Sequence, residues 1–129
     1  MATYLLDTGI AIDVLNDKRG RSSLLDRLLR EGGELAACPI TITEVYAGVR
    51  PREEARTERF LRSLKFYPVT FEVAEQAGNL QNAWRRKGRT LSLPDVTIAA
   101  VAIAHHLVLV TANVKDFPMP ELSIHPVAG

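Results

Sequence analysis

Apolar residues fall along this chain in short blocks, separated by longer stretches with helical spacing. Thr3 to Leu6 is a four-residue block of the kind expected of a strand buried on both faces. Residues 8–16 carry Ile10, Val14 and Leu15 near helical spacing. Residues 21–31 place Leu24, Leu25, Leu28 and Leu29 on one stripe, which predicts a second helix. Gly32-Gly33 ends it, because glycine accepts the left-handed backbone common past a helix C-terminus. A second strand is expected over 35–38. Thr41 or Thr43 is then expected to cap a helix through Val45 to Val49 by accepting from a free backbone N–H.

Residues 52–65 predict a charged helix. Arg52, Arg56 and Arg59 are interleaved with Glu53, Glu54 and Glu58, while Phe60, Leu61 and Leu64 turn inward. Pro68-Val69-Thr70 reads as a third strand and residues 72–87 as a helix. Ser92 and Pro94 open a helix over 94–106, since proline fits a first turn. Leu107 to Val110 is a fourth strand, with a weak fifth near Leu122 to Ile124. Short apolar strands alternating with helices predict a parallel sheet covered on both faces, joined by right-handed crossovers. The expected fold class is therefore α/β: a three-layer α/β/α sandwich around a short-stranded parallel sheet.

Composition narrows the picture slightly. At 129 residues the chain has room for one domain, expected over 1–129. The hydrophobic fraction of 47% suits a globular core, and a net charge of +1 gives no global basic field, so any nucleic-acid footprint must be local. Cys38 is the single cysteine, which points away from a disulfide scaffold and toward a reducing compartment. It reads as a small buried apolar residue. The chain opens MATYLLD, with no basic segment ahead of an apolar run, so no signal peptide is expected. The apolar run near 96–104 is shorter than the roughly 18 residues of a membrane span. A soluble, cytoplasmic protein with no membrane partner is the expectation.

The apolar stretch from Val96 to Val110 carries polar chemistry only at its mouths. Asp95 stands at the entrance; Thr111, Asn113 and Asp116 stand past the exit. In parallel sheets the working crevice lies beyond the carboxyl ends of the strands. Asp7 directly follows the first strand, Glu44 falls in the first turn of the helix after the second, and Asp95 opens the helix before the fourth. Asn113 and Asp116 follow the fourth strand, so four distant positions should meet at one rim. Clustered carboxylates repel, so they either share protons or hold a cation. With no histidine or cysteine among them the set argues against zinc and suits Mg²⁺ or Mn²⁺, which can activate water for phosphodiester cleavage. Each acid also has a plain structural reading: Asp95 favouring a helix dipole, Glu44 an ordinary first-turn glutamate, Asp7 a surface turn. Asp13, Asp17 and Asp26 read as solvated helix faces or turn residues.

Three segments, YLLDTGIAIDVL at the start, ITITEVYAGV at 40–49 and SLPDVTIAAVAIAHHLVLVTANVKDF at 92–117, together resemble a PIN-domain ribonuclease of the VapC toxin type. The resemblance spans essentially the whole chain. It implies a PIN-like fold and a divalent-metal-dependent endoribonuclease toxin with Asp7, Glu44 and Asp95 at the family's acidic, metal-holding positions. Thr8 and Thr111 fall where the family places hydroxyls that order the site. The chain departs at the fourth acid, where Asn113 stands in place of the aspartate of many members. Asp116, three residues on, can supply the missing charge. The resemblance further implies an RNA substrate, transfer and ribosomal RNA both being known in the family. It also implies a VapB-type antitoxin blocking the acidic site, a homodimer, and a heterotetramer or larger assembly with the antitoxin.

Arg85, Arg86, Lys87 and Arg89, with Lys115 beside the site, are candidates for phosphate contacts; the alternative is a solvated helix end. Single-stranded or looped RNA is the expected target, since loops expose bases. Trp84 either stacks a base or packs in the core. His105 and His106 read as a polar C-terminal turn. Val45, Val49, Phe60 and Leu64 offer a seam for an antitoxin helix, or simply pack two helices together. Rival enzyme classes fail on particular residues. Gly9 stands where a haloacid-dehalogenase-like phosphatase needs a second aspartate. No P-loop motif occurs. A receiver domain wants adjacent acids after the first strand, and Leu6 precedes Asp7. The serious non-enzyme rival is a catalytically inactive module that binds RNA or antitoxin, raised by Asn113.

Overall fold

The computed structural model describes residues 2–129; Met1, part of the domain expected over 1–129, lies outside the described residues. The elements run β1 (Thr3–Leu6), α1 (Thr8–Leu15), α2 (Arg21–Arg30), β2 (Glu34–Ala37), α3 (Pro39–Ala47), a 3-10 turn (Pro51–Glu53) and α4 (Glu54–Arg62). They continue with β3 (Lys65–Phe66), α5 (Phe71–Arg86), α6 (Leu93–His105), β4 (Val108–Thr111), a second 3-10 turn (Val114–Asp116) and β5 (Ser123–Pro126). All strand pairs are parallel, in the order β3-β2-β1-β4-β5.

Strand alternation divides the core in two. Leu5 of β1, Ala36 of β2 and Leu109 of β4 point to one face, where they meet Val73 and Ala77 of α5 and the buried run of α6 from Val96 to Ala102. Their neighbours Leu6, Ala37 and Val110 point to the other, against Ile10, Ala11 and Leu15 of α1, Leu25 and Leu28 of α2, Val45 of α3 and Leu61 of α4. This is the three-layer sandwich that the apolar blocks predict. The helices are needed on both sides because the central strands have no polar face to offer water. Among the described residues, no helix is long and apolar enough to cross a membrane.

At the end of α2, Gly32 adopts φ 92° and the Gly33 N–H donates to the Leu28 carbonyl. A Cβ at Gly33 would lie 2.7 Å from the Tyr4 ring, so the left-handed turn favours glycine at 32 and contact favours it at 33.

Several expectations are corrected. The third strand is Lys65–Phe66, not 68–70, because β2 offers its partners at Ala36 and Ala37 and Pro68 has no N–H for a ladder. The helix expected over 52–65 is a 3-10 turn followed by the shorter α4. Neither Thr41 nor Thr43 caps α3: the helix starts at Pro39 with Cys38 as N-cap residue, so both threonines lie inside it. That also moves Glu44 from the first turn to the second. In α2 the stripe is narrower than expected, since Leu29 is exposed while Leu25 and Leu28 are buried. Asp13 is not a solvated residue; its side chain is largely buried and pairs with Arg19 and Arg21.

Candidate active site at the carboxyl edge of the sheet

The strand order reverses direction between β1 and β4, and in open α/β sheets the crevice outside such a switch point receives ligands. Asp7 is the first residue past β1, at this position. Its N–H donates to the Val110 carbonyl at 3.0 Å, extending the ladder by one residue. Its backbone is still extended while α1 begins at Thr8, so Asp7 is the N-cap of α1, and Oδ1 accepts the Thr8 N–H at 2.8 Å. Oδ2 accepts the Thr111 hydroxyl at 2.7 Å. Thr111 is fully buried at the end of β4 and in turn accepts the Asn113 N–H at 2.9 Å.

Glu44 reaches the same rim from α3. Its Oε1 accepts the Thr8 hydroxyl at 2.6 Å. Thr41 lies one turn earlier on the same helix, fully buried, with its hydroxyl 3.4 Å from that of Thr8. In the sequence Thr41 reads only as a cap. The signal that points to it is its i, i+3 spacing from Glu44, which puts both on one helix face. Asp95 sits in the first turn of α6, with Ser92 as the N-cap whose hydroxyl accepts the Asp95 N–H at 3.2 Å. Asp116 closes the 3-10 turn after β4, half-buried, its N–H bonded to the Asn113 carbonyl at 2.9 Å.

These carboxylates act on one another. Burial pushes the Asp7 carboxyl above its ordinary range; the Thr111 and Thr8 hydrogen bonds pull it back, and the charges of Glu44 and Asp116 push it further up. Asp95 is raised by partial burial, eased by Ser92, and raised again by Asp7, Asp116 and Glu44. Four acids from four segments therefore share one electrostatic environment. Their donor atoms are oxygens throughout, the chemistry of a hard divalent cation. Among the described residues no three histidine, cysteine or acidic side chains close into a ligand cage. An oxygen-only donor set suits Mg²⁺ better than Zn²⁺, which favours nitrogen and sulfur ligands. Asp7, Glu44 and Asp95 are the acids that the end of β1, α3 and the start of α6 bring to this rim.

Among the described residues, the remaining candidates make no side-chain bond to these acids. Asn113 is exposed and engages the site through its backbone N–H. Lys115 is exposed, and its carbonyl accepts the Arg89 guanidinium, tying the loop before α6 to the turn carrying Asp116. Arg85 and Arg86 are exposed in the last turn of α5 and, among the described residues, pair with no carboxylate. Trp84 packs against the core, with the Lys87 ammonium 4.6 Å from its ring centroid. The expected seam is split: Val45 and Val49 line a groove with Ile12 and Leu15, whereas Leu64 faces a second hollow with Ile42, Tyr46 and Phe66.

A PIN domain model matches residues 4–118. This chain belongs to the PIN-domain family. Within the family it groups with proteins called Ribonuclease VapC. Ribonuclease VapC19 of Mycobacterium tuberculosis is 38% identical over 119 residues, covering 92% of this chain and 95% of the relative. Ribonuclease VapC10 of the same organism is 34% identical over 126 residues, covering 96% of this chain and 92% of the relative. Among solved structures, a toxin–antitoxin complex from Klebsiella pneumoniae superimposes with a TM-score of 0.81 at 30% identity, covering 98% of this chain and 99% of that one. VapBC2 from Rickettsia felis, bound to a DNA fragment from its promoter, gives a TM-score of 0.85 at 24% identity over 97% of this chain and 98% of that one. At that identity the second match speaks for the PIN fold alone.

Proposed function

We infer that this PIN-domain protein is a VapC-type endoribonuclease toxin, neutralised by a VapB-type antitoxin. The observation that carries the reading is the convergence of Asp7, Glu44, Asp95 and Asp116 at the β1/β4 switch point, in a chain related to proteins called Ribonuclease VapC over nearly its full length.

Asp7, Glu44 and Asp95 would hold Mg²⁺ or Mn²⁺ at the rim. When bound, the ion supplies charge neutralisation at the phosphodiester and makes water a better nucleophile. The protein's own part is positional. Thr111 and the Thr8 N–H fix both oxygens of Asp7, so its carboxylate presents one orientation. Thr8 engages one oxygen of Glu44, which leaves the other to take the proton of an attacking water. Arg85, Arg86 and Lys115 carry the positive charge that the RNA backbone requires, and Asn113 with Asp116 borders the scissile position. Single-stranded or looped RNA is the proposed substrate. The groove lined by Ile12, Leu15, Val45 and Val49, rimmed by Glu53 and Arg56, offers an antitoxin helix a seat along the later turns of α1 and α3. A cytoplasmic homodimer completes the proposal.

The test is cleavage of total cellular RNA by the purified protein with Mg²⁺ or Mn²⁺, with EDTA, and by Asp7→Asn and Asp95→Asn. Discrete fragments that need both the metal and each acid are expected. Full activity in both variants would overturn the assignment. Asn113 favours one alternative, an inactive module that binds RNA or antitoxin, because a neutral amide brings no charge toward a second ion. In that case RNA binds but no condition yields fragments.

A further inference from the structure

Arg21 opens α2 and is only 5% exposed, although it bears a full charge. Its Nη2 donates to the Ala128 carbonyl at 2.6 Å. Its Nε lies 3.5 Å from Asp13 Oδ2, an ion-pair distance, yet has no aligned hydrogen-bond acceptor. Asp13 is shared with Arg19, whose Nη1 stands 3.1 Å from the other oxygen. The turn that delivers both arginines to Asp13 holds Asp17, Arg19 and Gly20 in left-handed backbone. For the two non-glycine residues that conformation is costly. As a device for stability this cluster is poor, because a buried ion pair gains little over apolar side chains of similar volume.

What the cluster does control is geometry. Ala128 follows β5, and the preceding Val127 N–H donates to the Thr111 carbonyl at 3.1 Å. Thr111 is the residue whose hydroxyl orients Asp7. Consecutive contacts therefore run from Arg21 to Ala128, through Val127 to Thr111, and on to Asp7. β5 is an edge strand, bonded on one side only. A donor aimed at one carbonyl holds such an edge in register, which an apolar side chain at position 21 cannot do.

We propose that Arg21 is a positioning residue: its clasp on the Ala128 carbonyl holds the segment after β5 against β4 and thereby sets the Thr111 hydroxyl that aims Asp7. The functional half of this rests on reading the acidic rim as the nuclease site. Arg21→Met keeps most of the apolar stem and removes the donor; Arg21→Lys keeps the charge and one donor. Three quantities are measured: amide exchange at Val127, the carbon-13 resonance of the Asp7 side-chain carboxyl, and kcat and KM for RNA.

Arg21→Met is expected to fold, to exchange Val127 at least about tenfold faster, and to move the Asp7 resonance. Its kcat falls about tenfold, as for other groups that orient a ligand from behind, with KM within about twofold. Arg21→Lys recovers part of each change. Unchanged Val127 exchange overturns the clasp; faster exchange with an unmoved Asp7 resonance overturns the positioning role. If Arg21→Met does not fold, Asp13→Asn, which loosens the guanidinium without deleting it, is judged by the same criteria. If the wild type cleaves no RNA, the nuclease reading fails, while exchange and the Asp7 resonance still decide the clasp.

Discussion

The Thr111 hydroxyl donates to Asp7 Oδ2 at 2.7 Å, joining the ends of two adjacent central strands. Because the Asn113 N–H donates to the same hydroxyl oxygen, the Thr111 proton is directed at Asp7. Thr111→Val keeps the shape and leaves both partners unpaired. Denaturant unfolding is expected to show a loss of about 1–3 kcal/mol, the cost of orphaning buried polar groups. RNA cleavage should fall about 10–100-fold, the usual effect of removing a group that orients a ligand. A variant with wild-type rate and stability would show this bond to be idle.

Asp7 itself is held at a cost. Burial raises its carboxyl pKa above the ordinary 3.8, with Glu44 and Asp116 adding to the rise and the Thr111 and Thr8 bonds opposing it. The sign follows from linkage. The contribution to stability is fully present below the unfolded-state value and is lost as pH rises through the folded-state value, so at neutral pH the ionised group opposes folding. Asparagine caps a helix as well as aspartate and carries no charge. In EDTA at about pH 7, Asp7→Asn is therefore expected to melt above the wild type while cleaving no RNA. The gap in Tm should narrow as pH falls through the raised folded-state value toward the ordinary 3.8. A lower Tm for Asp7→Asn at pH 7 would show that the lost hydrogen bond outweighs the relieved charge.

Cys38 reports on the base of α3, the helix that carries Glu44. Its thiol is fully buried, and burial pushes its pKa up, disfavouring the reactive thiolate. A disulfide reagent is expected to leave the native protein unmodified and to label one thiol per chain after unfolding. Rapid labelling of folded protein would mean that the start of α3 opens locally, taking Glu44 with it.

Arg85 and Arg86 are exposed at the end of α5 and pair with no carboxylate among the described residues. Replacing either by alanine should change stability by no more than about 0.5 kcal/mol. RNA affinity should fall, and the slope of log affinity against log salt should flatten by about 0.7 for each phosphate of a single strand that is no longer neutralised. Cleavage at saturating RNA should be unaffected. Unaltered affinity with an unaltered slope would remove these two residues from the RNA path.

The sheet and its rim are legible in the sequence where patterns are long or chemically unambiguous. Thr3 to Leu6 and Val108 to Val110 are apolar on both faces, which only a covered parallel sheet tolerates, and that places Asp7 and Thr111 at strand ends. Ser92 announces the start of α6 and so the site of Asp95. Local patterns are less informative where tertiary contacts decide. Lys65 and Phe66 are exposed and form a strand only because β2 offers partners to them, whereas Pro68-Val69-Thr70 has the composition of a strand and no ladder. α3 begins behind Cys38, a residue type with little capping preference, so its start is hidden in the sequence and Thr41 looks like a cap. Arg21 gives no sequence signal: a basic residue at a helix start reads as solvated until the Ala128 carbonyl is seen beside it.

The strand order also sets a timetable. Asp7, Glu44 and Asp95 are all synthesised before Thr111, whose hydroxyl fixes the first of them. At about 5–20 residues per second, the 104 residues that separate Asp7 from Thr111 take roughly 5–20 s to emerge. A nascent chain that ends before β4 carries these three acids and no strand to seat Asp7. On the proposed function, a ribosome making this protein would face an assembled site only once Thr111 has emerged, which gives a cotranslationally supplied antitoxin a head start.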